Sequence, residues 1–122
     1  MRKVIAGAQG ASGRPLSGAV VANGFVFVSG QSYAQGPDVE AQTRGVIDKI
    51  AALLEEAGSD LTEAVRCTVF MSDLGLRDRM NAVYATYFPK DPPARAVVGC
   101  DLGSPSVVVE IDCVATLRGS RE

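Results

Sequence analysis

The chain of 122 residues contains no histidine and no tryptophan. The first absence excludes the most. Without imidazole there is no Ser-His or Cys-His nucleophile pair, no histidine general base, and few of the usual zinc sites. Any chemistry must run on carboxylates, Arg, Lys, Tyr, hydroxyls, thiols, backbone or water. Cysteine is scarce as well: Cys67, Cys100 and Cys113 are odd in number, widely spaced and form no CxxC. They read as reduced thiols of a cytoplasmic protein. Cys100 and Cys113 are expected as buried packing thiols, because nothing basic adjoins them to favour the thiolate. No metal-ligand cluster is visible. No apolar run approaches the roughly 20 residues of a membrane span, and the basic start at Met1-Arg2-Lys3 leads into too short an apolar stretch for a signal peptide. A net charge of -2 gives no reason to expect nucleic acid.

What is present is a foldable chain, 47% hydrophobic and 21% charged, of a length that suits one domain over residues 1–122. Asn23-Gly24 sits between Ala19–Ala22 and Phe25–Ser29, the pattern of a two-residue β-hairpin. Residues 30–37 read as a loop. From Asp38, the positions Val39, Thr43, Val46, Ile47, Ile50, Leu53, Leu54 and Ala57 recur every three or four residues, which predicts a helix capped by Asp38 and ended by Gly58. Val65, Cys67, Val69 and Met71 then alternate with Arg66, Thr68 and Phe70 as a half-buried strand, reached by a crossover expected to be right-handed. A second helix carries Leu76, Met80, Val83, Tyr84 and Tyr87 on one side and stops at Pro89. Strands through 94–100 and 106–117 complete an α+β fold, a mixed sheet with both helices on one face.

The last two strands hold the candidate chemistry. Arg95 leaves the Pro92-Pro93 loop and enters the apolar run Ala96-Val97-Val98. Arginine can grip a carboxylate with two parallel hydrogen bonds, and a strand fixes its direction. Two readings of Arg95 stand side by side: an edge arginine paired with Asp112 or another carboxylate, or the anchor of an organic acid. In the final strand Val107, Val109, Ile111, Cys113, Ala115 and Leu117 form an apolar face, whereas Val108, Glu110, Asp112 and Val114 share the other. That second face is too apolar for bulk water and too charged for a plain core. An interface between subunits with a wet polar pocket would satisfy it.

Several stretches in this order resemble the Rid (YjgF) family: Ser29-Gly30-Gln31 after a hairpin, Val69–Leu74, Asn81 with Tyr84 and Phe88, Pro93-Ala94-Arg95, and Val109–Ala115. The resemblance covers almost the whole chain. It implies a chorismate-mutase-like fold and a homotrimer whose sheets form a central barrel with clefts between subunits. The implied activity is cofactor-independent hydrolysis of reactive enamines and imines, of the 2-aminoacrylate type, to 2-oxo acids and ammonia. On this chain the resemblance makes Arg95 the carboxylate anchor and Glu110 the group that orients or deprotonates water. Ser29, Gly30 and Asn81 would line the cleft. Two positions depart from the pattern: Leu16 stands where active members usually carry tyrosine, and Val97 where cysteine is frequent. Both make the pocket more apolar. Alongside this reading stand a pathway-dedicated deaminase or cyclisation catalyst for larger imines, and a non-catalytic trimer that binds small acids.

Overall fold

The structure is a computed structural model that describes residues 2–119. Its elements run β1 (Lys3–Ile5), α1 (Gly7–Ala11), β2 (Ala19–Ala22), β3 (Phe25–Ser32), α2 (Val39–Ala57), β4 (Ala64–Met71), α3 (Arg77–Tyr87), β5 (Ala94–Gly99) and β6 (Val109–Thr116), with single 3-10 turns before β4 and α3. The six strands form one mixed sheet in the order β1-β2-β3-β6-β4-β5, in which only β4 and β5 are parallel neighbours. Asn23 (φ 52°) and Gly24 (φ 80°) make the β2–β3 turn as the dipeptide predicts, since both positions need positive φ.

Helix α2 starts where the Asp38 carboxylate accepts from the Ala41 amide (2.8 Å) and ends at Gly58. All eight positions of its predicted apolar stripe are buried. They meet Val26, Val28, Cys67, Val69, Met71, Ile111, Cys113 and Ala115 from the sheet in a single core. Deleting one fully buried side chain here, as in Ile50→Ala, costs about 2–5 kcal/mol. Helix α3 adds Met80, Val83 and Tyr84 to that face.

Four features differ from the sequence reading. The short pieces β1 and α1 were not foreseen. Strand β3 does not stop at Ser29 but continues to Ser32 through a bulge, with Val28 opposite Cys113 and Gln31 opposite Ile111. Strand β6 starts at Val109 rather than Ser106, because a side chain replaces the ladder over residues 106–108. Buried Gln42 donates from Nε2 to the Ser106 carbonyl (2.8 Å) and accepts at Oε1 from the Val108 amide (2.9 Å). Finally, Cys100 is exposed, since edge strand β5 ends at Gly99 and the chain leaves the core there. Cys67 and Cys113 are buried and stand opposite each other across β4 and β6.

Candidate active site

Register assigns each charged residue to a face, because directly paired strand residues point the same way. Arg95 pairs with Cys67, and Cys67 with Cys113, so Arg95 projects on the helix side of the sheet. Glu110 pairs with Phe70 and with Ser32 on the opposite side. Within one chain the two predicted catalytic residues therefore stand on opposite faces.

Arg95 lies beyond the rim of α3, where its guanidinium stacks 4.7 Å from the Tyr84 ring centroid. Its Nη1 donates to Asn81 Oδ1 (2.7 Å). No carboxylate of the described residues forms an ion pair with it. The reading that pairs Arg95 with Asp112 is thereby overturned. Asp112 points from the other face, and its Oδ1 accepts from the Thr68 amide (3.0 Å). A ring and one amide fix the guanidinium plane and leave most of its five N–H groups free for an incoming acid. The cleft at its head measures about 350 Å³ and is lined by Asn81, Tyr84, Phe88, Pro93 and Arg95 among others. Val97, two residues along the same face, is half-buried and packs against the core.

Tyr84, which the sequence reading treated as helix packing, and Phe88, which it used only for the family resemblance, are cleft residues. Spacing from Asn81 could have found them, since positions three and seven along a helix share a face with the first. The Tyr84 hydroxyl is buried without an oxygen or nitrogen partner. Burial, then the neighbouring Cys67 thiol, push its pKa far above the ordinary value. Cys113 is likewise pushed up, by its hydrogen bond with Cys67 and by burial. Both stay protonated at neutral pH, so neither is a base for this cleft.

The second group gathers at the β3 bulge. Ser29 is stitched to the loop carrying Leu16: its amide donates to the Gly18 carbonyl (2.9 Å) and its Oγ to the Ser17 carbonyl (2.6 Å). Leu16 is 37% exposed. Gly30 lies against Glu110 so closely that a Cβ there would collide with the carboxylate and push it from its place. Ser29, Gly30 and Glu110 thus gather at the bulge on one face, while Asn81, Arg95 and Val97 gather on the other. The face that carries Glu110 also exposes Phe25 (40%), Phe27 (46%) and Val98 (41%).

Residues 8–117 match the family model described as endoribonuclease L-PSP. The chain belongs to the YjgF/Rid family. A RutC family protein of Pyrococcus abyssi is 37% identical over 109 residues, covering 83% of this chain and 85% of that one. The fold agrees as well. A crystal structure of a YjgF/YER057c/UK114 family member from Mycobacterium tuberculosis superposes with a TM-score of 0.88 at 29% identity, covering 96% of this chain and all of the other. A YjgF family structure from Neisseria meningitidis gives a TM-score of 0.88 at 31% identity, covering 97% of this chain and 96% of the other. A Rid family structure from Yersinia pestis gives 0.82 at 30%, covering 96% of this chain and all of the other. The YjgF/Rid mixed sheet with its helices on one face is thus the fold that the sequence predicts.

Proposed function

We propose that this protein hydrolyses enamine- and imine-bearing acids to 2-oxo acids and ammonia, in a homotrimer whose clefts draw on two subunits. The observation that carries the reading is the state of Arg95. It is a strand-fixed guanidinium held by Tyr84 and Asn81 at the mouth of a cleft, with no carboxylate paired to it among the described residues. That is a receptor for the carboxylate of a small acid. Glu110 stands on the other face, at the bulge, so a second protomer supplies it. The exposed aromatic and aliphatic side chains on the face of Glu110 are the surface such a neighbour would cover.

The chemistry asks little of the protein. In a protonated imine the C=N carbon is already electrophilic. Arg95 holds the carboxylate, and Glu110 takes a proton from a water as its oxygen bonds to that carbon. Glu110 returns that proton to nitrogen and then takes the proton of the carbinolamine hydroxyl as the C=O bond forms and the C–N bond breaks. Ammonia leaves, carries off this second proton as ammonium, and the carboxylate is restored. Leu16 and Val97 give the cleft an apolar wall, which favours imino acids with bulkier side chains over 2-aminoacrylate itself.

The test feeds imine from an amino-acid oxidase and traps the survivor with semicarbazide, comparing wild type with Arg95→Ala. Faster imine loss with wild type that disappears in the variant is the expected result. No acceleration across small and bulky imino acids would overturn the deaminase reading, and saturable 2-oxo acid binding without turnover would make the protein a binding trimer. The description of the family model raises cleavage of RNA, which a net charge of -2 and the lack of histidine do not favour.

A further inference from the structure

A second cavity of about 350 Å³ opens on the helix side, between α1, the end of β3 and α2. None of the residues assigned to the proposed active site lines it. Its wall carries two cations, Arg14 and Lys49. Among the described residues neither forms an ion pair, and the Arg14 guanidinium makes no hydrogen bond. Leu53 supplies an apolar side, and Glu56 adds one negative charge. On α2, Lys49 and Glu56 are two turns apart on one stripe, so their backbone positions differ by about 10 Å along the axis. Among the described residues Glu56 forms no ion pair with either cation.

The cavity also has a built floor. Gln9 Nε2 donates to the Gly30 carbonyl (3.1 Å). Gln31, almost wholly buried, donates from Nε2 to Gln9 Oε1 (3.0 Å) and to the Ser29 carbonyl (2.9 Å). Lys49 Nζ donates to the Ser32 carbonyl (2.7 Å). Three carbonyls of the bulged end of β3 are thus held by side chains that line the cavity, and Glu110 rests against Gly30 within that segment.

We propose that this cavity binds a small monocarboxylate with a short apolar body, at a site separate from the Arg95 cleft. Arg14 and the two unused donors of Lys49 take the carboxylate, and Leu53 packs on the body. Glu56 sets the class by repulsion: a dianion such as phosphate brings a second charge toward it and is disfavoured. A carboxylate that engages Lys49 competes with the Ser32 carbonyl for its ammonium. Occupancy is therefore felt at the bulge and reaches the segment that backs Glu110.

The experiment is an amide NMR titration of the full chain with isobutyrate, repeated on Arg95→Ala, Arg14→Met and Lys49→Met. All three substituted side chains are exposed, and the spectra themselves report folding. Saturable shifts centred on Gln9, Gly30 and Gln31 should persist in Arg95→Ala. They should need about tenfold more isobutyrate in each cavity variant, the loss of one charge-assisted hydrogen bond. Inorganic phosphate should bind more weakly than isobutyrate and gain in Glu56→Gln. Shifts that vanish in Arg95→Ala, or survive unchanged in both cavity variants, would move the ligand to the cleft and overturn the proposal. So would an absence of saturable shifts, or phosphate binding as tight as isobutyrate. None of these readouts uses turnover, so the second site is judged apart from the deaminase reading.

Discussion

In the proposed deaminase Arg95 acts through geometry more than through charge. Tyr84 fixes the guanidinium plane from one side and Asn81 takes one N–H, which leaves a fork presented to the cleft. Lysine keeps the charge but loses both the fork and the stacking. Arg95→Lys should therefore lower kcat/KM by about a hundredfold, close to the loss in Arg95→Ala. Asn81→Ala should raise KM by about tenfold while Arg95 is present and change little in its absence, because the two act as a unit. Steady-state kinetics on the four proteins of that cycle decides it. Independent, additive effects would mean that Asn81 touches substrate rather than aligning Arg95. Gly30 calls for the converse experiment. A methyl group there meets the Glu110 carboxylate, so Gly30→Ala should displace that group and reduce kcat toward the level of Glu110→Gln, with KM nearly unchanged. Wild-type turnover in Gly30→Ala would show that the placement of Glu110 is irrelevant to the reaction.

Asn81 and Tyr84 depend in turn on how α3 sits against α2. Besides the hydrogen bond from Tyr87 Oη to Asp48, an exposed clasp joins the two helices: Arg79 donates from Nε and Nη2 to the two carboxylate oxygens of Glu40, at 2.8 and 2.7 Å. The Arg79 hydrogen bond, followed by a bond from the Glu40 backbone amide, holds this carboxyl at about 2 against an ordinary 4.5. A depressed carboxylate stabilises the fold in full above its unfolded value, and that contribution fades as pH falls toward the folded one. Arg79→Met should accordingly lower Tm slightly at neutral pH, the pair being exposed and screened. The gap between the two Tm curves should close between about pH 4.5 and 2. A gap that stays constant through that window would assign the effect to packing of the arginine stem. The same elements show what the sequence made legible. The stripe of α2 and the alternation of β6 were readable because a periodic apolar pattern has only one way to bury itself. Glu110 was placed correctly for that reason. The run Ala94–Gly99 has no such alternation, so the face of Arg95 depended on its register with β4, which no local pattern encodes. The bulge was missed because Gly30-Gln31-Ser32 has the composition of a loop. Its pairing with Ile111 and Glu110 of β6 makes it a strand. Lys3–Ile5 and Gly7–Ala11 are too short for a period to show, and contacts such as Gln9 with Gly30 hold them in place.

On the scale of the whole molecule, a sheet with Arg95 on one face and Glu110 on the other cannot bring the two proposed catalytic groups together by itself. In the proposed homotrimer, rotation about a threefold axis would bring the outer face of one copy to the rim of the next, where Arg95 stands without an ion-pair partner among the described residues. Such a contact would be heterologous and close into a ring. This arrangement has a consequence that a self-contained site lacks. Arg95→Ala and Glu110→Gln, each inactive alone, should complement when unfolded and refolded together. A cleft works when the subunit giving the arginine is a Glu110→Gln chain and the one giving the carboxylate is an Arg95→Ala chain. Random mixing of equal amounts meets that condition in about a quarter of the clefts. Activity should thus rise from near zero to about a quarter of wild type, and follow the product of the two mole fractions as the ratio is varied. Phe27→Asp in both chains supplies the control, since a charge placed on the exposed outer face should disperse the trimer and abolish the recovery. Mixtures that stay inactive, while sedimentation shows them to be trimers, would place Arg95 and Glu110 in separate functions and remove the shared cleft from the mechanism.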